Sequence, residues 1–170
     1  MGDNMKEYNS IIKKYCGSAN LPPPLVRSII KVESSGNQYA IRYEKNFKWL
    51  YKPEKFTSGI LTLDTEKNAQ KISWGLMQLM GATARELGFE GDYLSELMEP
   101  EVNIKFGCKY LAGLRKRFSE NPKSKCNFVD DIAMFDDNMV AAYNAGSPRR
   151  KENGDYVNQE YVDKILQNWK

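Results

Sequence analysis

The longest periodic stretch of the chain opens at Pro100 and closes near Phe118, and it limits the possible folds more than any other feature. Val102, Phe106, Tyr110 and Leu114 recur every four residues and form one row. Ile104, Cys108, Leu111 and Phe118 thicken that row into a broad apolar face. A helix apolar over such a stripe must be covered by other elements. The segments available to cover it also read as helices. One covers about residues 3–15 within an N-terminal stretch, 1–20. Pro22-Pro23-Pro24 opens another, because proline suits the first turn of a helix. Further helices are expected from Leu63 to about Ile72, from Leu76 to Met80 and from about Asp130 to Tyr143. The last carries Tyr161, Val162, Ile165, Leu166 and Trp169. Strand signals are weak, with at most a short β-hairpin between Phe56 and Thr62. The expected fold class is mainly α, in one domain spanning 1–170. A chain of 170 residues is long enough to bury a core of its own.

Composition removes several kinds of chemistry. There is no histidine. Ser-His and Cys-His catalysis and His-ligated metals are therefore excluded, and carboxylates become the ready acid–base groups. Neither a metal nor a cofactor is expected. Cys16, Cys108 and Cys126 are odd in number and form no CxxC pair, so buried thiols are expected rather than a disulfide framework. A net charge of +3 is mildly basic and does not by itself establish an anionic partner. No stretch approaches membrane-spanning length, and residues 1–8 lack the apolar core of a signal peptide. Synthesis in the cytoplasm is the corresponding expectation, with a monomer as the default state.

Glu33 ends the apolar stripe of Leu25, Val26, Ile29 and Ile30, following Ile29 by four residues and Ile30 by three. Ser34-Ser35-Gly36-Asn37 then stops the helix. A carboxylate at the open end of an apolar stripe faces a half-desolvated space. Desolvation raises a carboxyl pKa, which suits a general acid near neutral pH. The same position also suits a glutamate that simply reaches water from a helix end.

Two other segments set small and polar residues into apolar sequence: Gly75-Leu76-Met77-Gln78 and Ala142-Tyr143-Asn144-Ala145-Gly146. Glycine lets backbone approach closely, while Gln78, Tyr143 and Asn144 supply amide and phenol groups. Beside one carboxylate, such groups can hold a neutral ligand rich in hydroxyls and amides. Each also has a structural reading, as a helix-ending glycine, a satisfied amide or a core tyrosine.

Taken in order, these segments resemble the soluble lytic transglycosylases of bacterial cell walls, within the lysozyme-like superfamily. PPLVRSIIKVESSGN is similar to the family's catalytic helix ending in Glu-Ser, and GLMQLM to its second motif. EPEVNIKFGCKYLAGL resembles the long central helix, AAYNAG the third motif, and NQEYVDKILQNW the final helix. The likeness runs from Leu21 to Trp169. Trp74 and Gly81 depart from the usual pattern around the second motif. So does an insertion, 37–63, rich in aromatics: Tyr39, Tyr43, Phe47, Trp49, Tyr51 and Phe56. Those rings either stack on sugars or pack a small lobe. Similar insertions occur in phage-associated members.

The resemblance implies a lysozyme-like, goose-type domain acting on peptidoglycan glycan strands, not on nucleic acid. It implies cleavage of the β-1,4 bond between N-acetylmuramic acid and N-acetylglucosamine, with formation of 1,6-anhydro ends. Glu33 would be the catalytic residue, donating one proton and later accepting another. Ser34 would orient the helix end, and Gln78 and Met80 would line the subsite beside the bond. Tyr143 and Asn144 would hold the acetamido group, and Tyr161 would tune Glu33. The place of action would be the cell wall or periplasm, for a phage lysis or virion enzyme or for one exported by a dedicated system. The alternatives are a goose-type muramidase hydrolysing the same bond and a non-catalytic peptidoglycan-binding or virion domain. A hydrolase needs a second carboxylate, for which Glu44, Glu54, Asp64 and Glu66 are candidates. A transglycosylase leaves Asp64 and Glu66 to serve the start of their helix.

Overall fold

The computed structural model describes residues 5–119 and 136–169, which fall into two compact units. Met1–Val32 and Cys108–Lys170 form one, and Glu33–Gly107 the other.

In the first unit a 3-10 turn, Lys6–Tyr8, leads into α1, Asn9–Ala19. This helix starts and ends later than the pattern at 3–15 suggests. It stops where Asn20 adopts a left-handed conformation (φ 52°) and returns its N–H to the Cys16 and Gly17 carbonyls. Next comes α2, Pro23–Ser34, whose Leu25, Val26, Ile29 and Ile30 are fully buried. The expected stripe is therefore the packed face. The long helix α5 covers Pro100–Phe118, with Cys108, Leu111 and Leu114 buried in its second half. Asp136 caps α6, Asp137–Ala145, by accepting from the Met139 N–H at 2.9 Å. Against α6 packs α7, Gln159–Gln167, through the buried Val162 and Ile165. Leu166, expected on the same side, is 39% exposed.

Cys16 and Cys108 are buried free thiols that hydrogen-bond to each other. The hydrogen bond with the Cys16 thiol, together with burial, pushes Cys108 far above the ordinary cysteine range. Cys126, the loop at 121–125 and the helix expected over 130–135 lie outside the described residues.

The second unit holds a three-stranded antiparallel sheet: β1, Ile41–Tyr43; β2, Ile72–Trp74; and β3, Leu79–Met80. The strand content is thus small, as expected, but it is not between Phe56 and Thr62. There, Pro53–Phe56 is a 3-10 turn, and Ser58 donates its N–H to the Leu61 carbonyl at 3.0 Å. The helix expected over Leu76–Met80 is instead the loop and strand that follow β2. Helix α3, Leu63–Gln70, is capped by Thr62, whose hydroxyl accepts from the Thr65 N–H. Helix α4 covers Gly81–Glu86.

The centre of this unit is polar. Glu66 and Arg85 have fully buried side chains and meet through two contacts, Nε to Oε1 at 2.9 Å and Nη2 to Oε2 at 3.1 Å. Nη1 of Arg85 donates to the Phe89 and Gly91 carbonyls, and the Phe56 ring lies 4.1 Å from the guanidinium. The pair joins α3 to α4 and pulls the Pro53–Phe56 turn onto both.

Candidate active site

Glu33 occupies the last turn of α2 and is half-buried. The helix ends one residue later, at Ser34, because Ser35 takes a left-handed conformation (φ 53°), followed by Gly36 (φ 79°). A serine at that position costs energy that glycine would not. The chain therefore turns sharply just beyond the carboxylate. The Ser34 hydroxyl donates to the Leu76 carbonyl at 2.7 Å. This bond ties the end of α2 to the loop that joins β2 to β3.

That loop, 75–78, is held from four sides. Gly75 (φ 67°) lets it leave β2, and a Cβ there would stand 2.5 Å from Asn103 Nδ2 and 2.6 Å from the Leu97 carbonyl. Asn103 is fully buried near the start of α5. Its Oδ1 accepts from the Met77 N–H at 2.8 Å. Its Nδ2 donates to the Trp74 and Leu97 carbonyls at 2.8 and 2.7 Å. Gly75 also donates its N–H to the Ala40 carbonyl at 2.8 Å. Met77 lies against Gly107, where any Cβ would collide with its sulfur.

Gln78 is the strained residue of this loop. It is left-handed (φ 47°), and its amide is spent on the protein. Nε2 donates to the Ala40 and Gly75 carbonyls at 2.9 and 3.0 Å, and Oε1 accepts from the Ser73 hydroxyl at 3.0 Å. Both amide donors are thus committed, so Gln78 shapes the loop and β1, with one lone pair of Oε1 left for a ligand. Met80 is half-buried on β3, opposite Ser73. Four non-glycine residues among those described have positive φ, and two of them, Ser35 and Gln78, sit in these two motifs. Strain of this kind collects where geometry is dictated by use.

The remaining candidates belong to the first unit. Tyr143 is 9% exposed and its ring lies 5.4 Å from that of Tyr110. Asn144 is exposed, and its Oδ1 accepts from Asn158 Nδ2 at 3.0 Å. Asn158 also donates to the Ala141 carbonyl and so links the end of α6 to the start of α7. Tyr161, half-buried, is on the first turn of α7. Glu33, Ser34, Gln78 and Met80 therefore belong to one unit, and Tyr143, Asn144 and Tyr161 to the other.

The sequence matches the family model described as Transglycosylase SLT domain over residues 10–165. The chain belongs to that family. It is 28% identical over 169 residues to the membrane-bound lytic murein transglycosylase C of Actinobacillus pleuropneumoniae serotype 5b, covering 94% of this chain and 36% of the relative. It is also 28% identical over 122 residues to the membrane-bound lytic murein transglycosylase E of Buchnera aphidicola, covering 68% of this chain and 43% of the relative. The chain thus spans roughly a third to two-fifths of the length of these SLT-domain relatives.

Two groups in this SLT domain carry weight that the sequence did not signal. Asn103 fixes the Gly75–Gln78 loop, yet it reads as one polar residue in an apolar helix. The Glu66–Arg85 pair joins residues 19 apart, and only α3 packing on α4 brings them together. Among the described residues no cluster of three or more His, Cys, Asp or Glu could hold a metal ion. No described helix is long and apolar enough to cross a membrane.

Proposed function

We propose that this domain is a peptidoglycan lytic transglycosylase, cutting the bond between N-acetylmuramic acid and N-acetylglucosamine at the cell wall. Glu33 is its general acid and then its base. Its carboxyl gives a proton to the glycosidic oxygen, and the substrate's acetamido oxygen stabilises the charge developing at C1. The carboxylate then takes the proton of the C6 hydroxyl, which attacks C1 and closes a 1,6-anhydro ring. A nucleophile already in the sugar has a high effective concentration, so one protein carboxyl serves both transfers. Ser34 is a positioning residue, and Gln78 shapes the loop whose continuation carries Met80 toward the sugar. The roles of Tyr143 and Asn144 at the acetamido group, and of Tyr161 near Glu33, rest on the family's motifs.

The observation that carries this reading is the tie between the two motifs. The serine next to Glu33 donates to the loop of Gly75–Gln78 at 2.7 Å. A merely surface-seeking glutamate needs no such anchor. Glu33→Gln keeps the shape and removes the proton, so turnover should fall on the order of 10²–10⁴-fold with the fold intact. Products of the parent should be one water lighter than reducing muropeptides. Wild-type clearing by Glu33→Gln would refute the assignment, and reducing ends would give the reaction to a muramidase.

A further inference from the structure

The insertion, 37–63, lies within the second unit, and the chemistry above does not use it. Part of it is lobe packing: Pro53 and Leu61 are buried, and Phe56 covers the Arg85 guanidinium. The rest is not. Tyr39, Tyr43 and Trp49 are 68%, 51% and 76% exposed, with Ile41 and Ile60 exposed beside them. Of the large apolar side chains exposed in the described chain, most fall in this one segment. Rings concentrated in this way mark a contact surface.

The charge is concentrated there too. Arg42, Lys45, Lys48, Lys52 and Lys55 stand against only Glu44 and Glu54, a balance of +3 equal to that of the whole chain. The sheet register gives one of these cations a direction. Arg42 stands opposite Ser73 on β2, and Ser73 opposite Met80 on β3. Directly paired residues share a face, so Arg42, Ser73 and Met80 form one row across the sheet. Arg42 Nε contacts Glu44 Oε1, and its terminal nitrogens have no partner among the described residues. An exposed pair of this type is weak and yields readily to a better anion.

We propose that segment 37–63 is a docking surface for glycan strands that still carry their peptide stems. Exposed rings stack on the C–H faces of the neutral sugars, while Arg42, Lys45 and Lys48 pair with the carboxylates of the stems. A stem carries more than one carboxylate, whereas its removal at the amide bond uncovers only one, on the lactyl group of muramic acid, so the excess of cations points to the peptide-bearing form. This inference rests on the proposed reading of the domain as a peptidoglycan-cleaving enzyme.

The test uses the full chain carrying Glu33→Gln, so that binding is not followed by digestion. Its affinity is measured by titration calorimetry with soluble glycan strands, either stem-bearing, released by an endopeptidase that cuts only the cross-links, or stripped of stems by an amidase. Stem-bearing strands should bind about tenfold more tightly than stripped ones, and added salt should reduce the difference. Trp49→Ala should weaken binding to both by roughly five- to tenfold, as loss of an aromatic anchor does. Arg42→Gln with Lys48→Gln should weaken binding to stem-bearing strands more than to stripped ones and so narrow the preference. Melting temperatures close to that of the parent exclude a folding defect, since all three side chains are exposed. Equal affinity for the two kinds of strand, or no effect of Trp49→Ala, would overturn the proposal. So would equal binding to phosphatidylglycerol vesicles, or a dimer that Trp49→Ala dissolves, because either assigns the surface to another occupant. Failure of the enzymatic reading is seen separately, as no release of muropeptides by the chain with Glu33 intact.

Discussion

Removing Glu66 should be among the most damaging single changes to the second unit. Its carboxylate faces a guanidinium that is itself 1% exposed, with both oxygens engaged at 2.9 and 3.1 Å. Glu66→Ala leaves that cation in place, and an arginine cannot shed its proton to escape. Breaking a buried pair from one side costs about 3–5 kcal/mol. Gln70 Nε2 also loses its bond to Glu66, 2.9 Å in the parent, though Tyr51's carbonyl still holds it. In a chain of this size 1 kcal/mol moves the melting temperature by about 2–4 °C, so a fall of roughly 6–20 °C is expected. Arg85→Met should cost less in acid than at neutral pH, because an unpaired buried carboxyl can take up a proton. Combining Glu66→Leu with Arg85→Met removes both charges and should recover most of the loss. Circular dichroism melts, paired with urea titrations, measure all three. A Glu66→Ala protein within 1 kcal/mol of the parent, or a double variant no better than Glu66→Ala, would refute this account of the pair.

Other expectations follow from single contacts. Asn103→Ala orphans the Met77 N–H and the Trp74 and Leu97 carbonyls, which should cost about 2–4 kcal/mol. Because those groups define the Gly75–Gln78 loop, turnover should also drop at temperatures where the variant is folded; full activity would show that the loop needs no clamp. Tyr156 donates to Asn138 and accepts from Arg150, both at 2.6 Å, and burial raises its phenol above the ordinary 10. The folded state thus holds that proton more tightly than the unfolded one. The stability is complete below about pH 10 and is lost as pH rises through the folded value. Tyr156→Phe should flatten the alkaline fall in melting temperature while costing about 1–2 kcal/mol at neutral pH; an unchanged alkaline slope would contradict this. In a Cys126→Ser protein, Cys16 and Cys108 should resist a thiol reagent until denaturant is added, since both are buried; rapid native labelling would show that the α1–α5 contact opens.

How much of this was legible in the sequence depended on the length of each element. Helix α5 was readable at both ends because nineteen residues hold a stripe long enough to fix its period. The buried face of α2, and Glu33 at its end, were readable for the same reason. The sheet was not, because strands of three, three and two residues are too short to show alternation. Leu76–Met80 imitated a helix through apolar content alone. What makes it a loop and strand is Asn103, 26 residues from Met77, and no local pattern reports a bond of that range. The sequence shows that Gln78 carries an amide, and only the fold says which atoms that amide already holds. The aromatic insertion split between its two readings. Phe56 belongs to the lobe, whereas Tyr39, Tyr43 and Trp49 remain in solvent.

The choice between one carboxyl and two is where these contacts bear on chemistry. Water activation needs a carboxylate with a free lone pair aimed at the water. Four residues offered one by sequence. Glu66 is withdrawn by its own position, both oxygens being turned to Arg85 in a fully buried pair. Glu44 is half-buried, with an oxygen on the Arg42 guanidinium. Asp64 stands exposed in the first turn of α3, where negative charge favours the helix start and Thr62 already supplies the cap. Glu54 is exposed in the first turn of a 3-10 segment. An exposed carboxylate at a helix start needs no second role to account for it. Glu33 is placed differently, half-buried at the end of a fully buried apolar stripe and next to a serine that fastens the helix to a strained loop. Among these carboxylates that combination belongs to Glu33, which fits the proposed reaction, whose nucleophile is carried by the substrate.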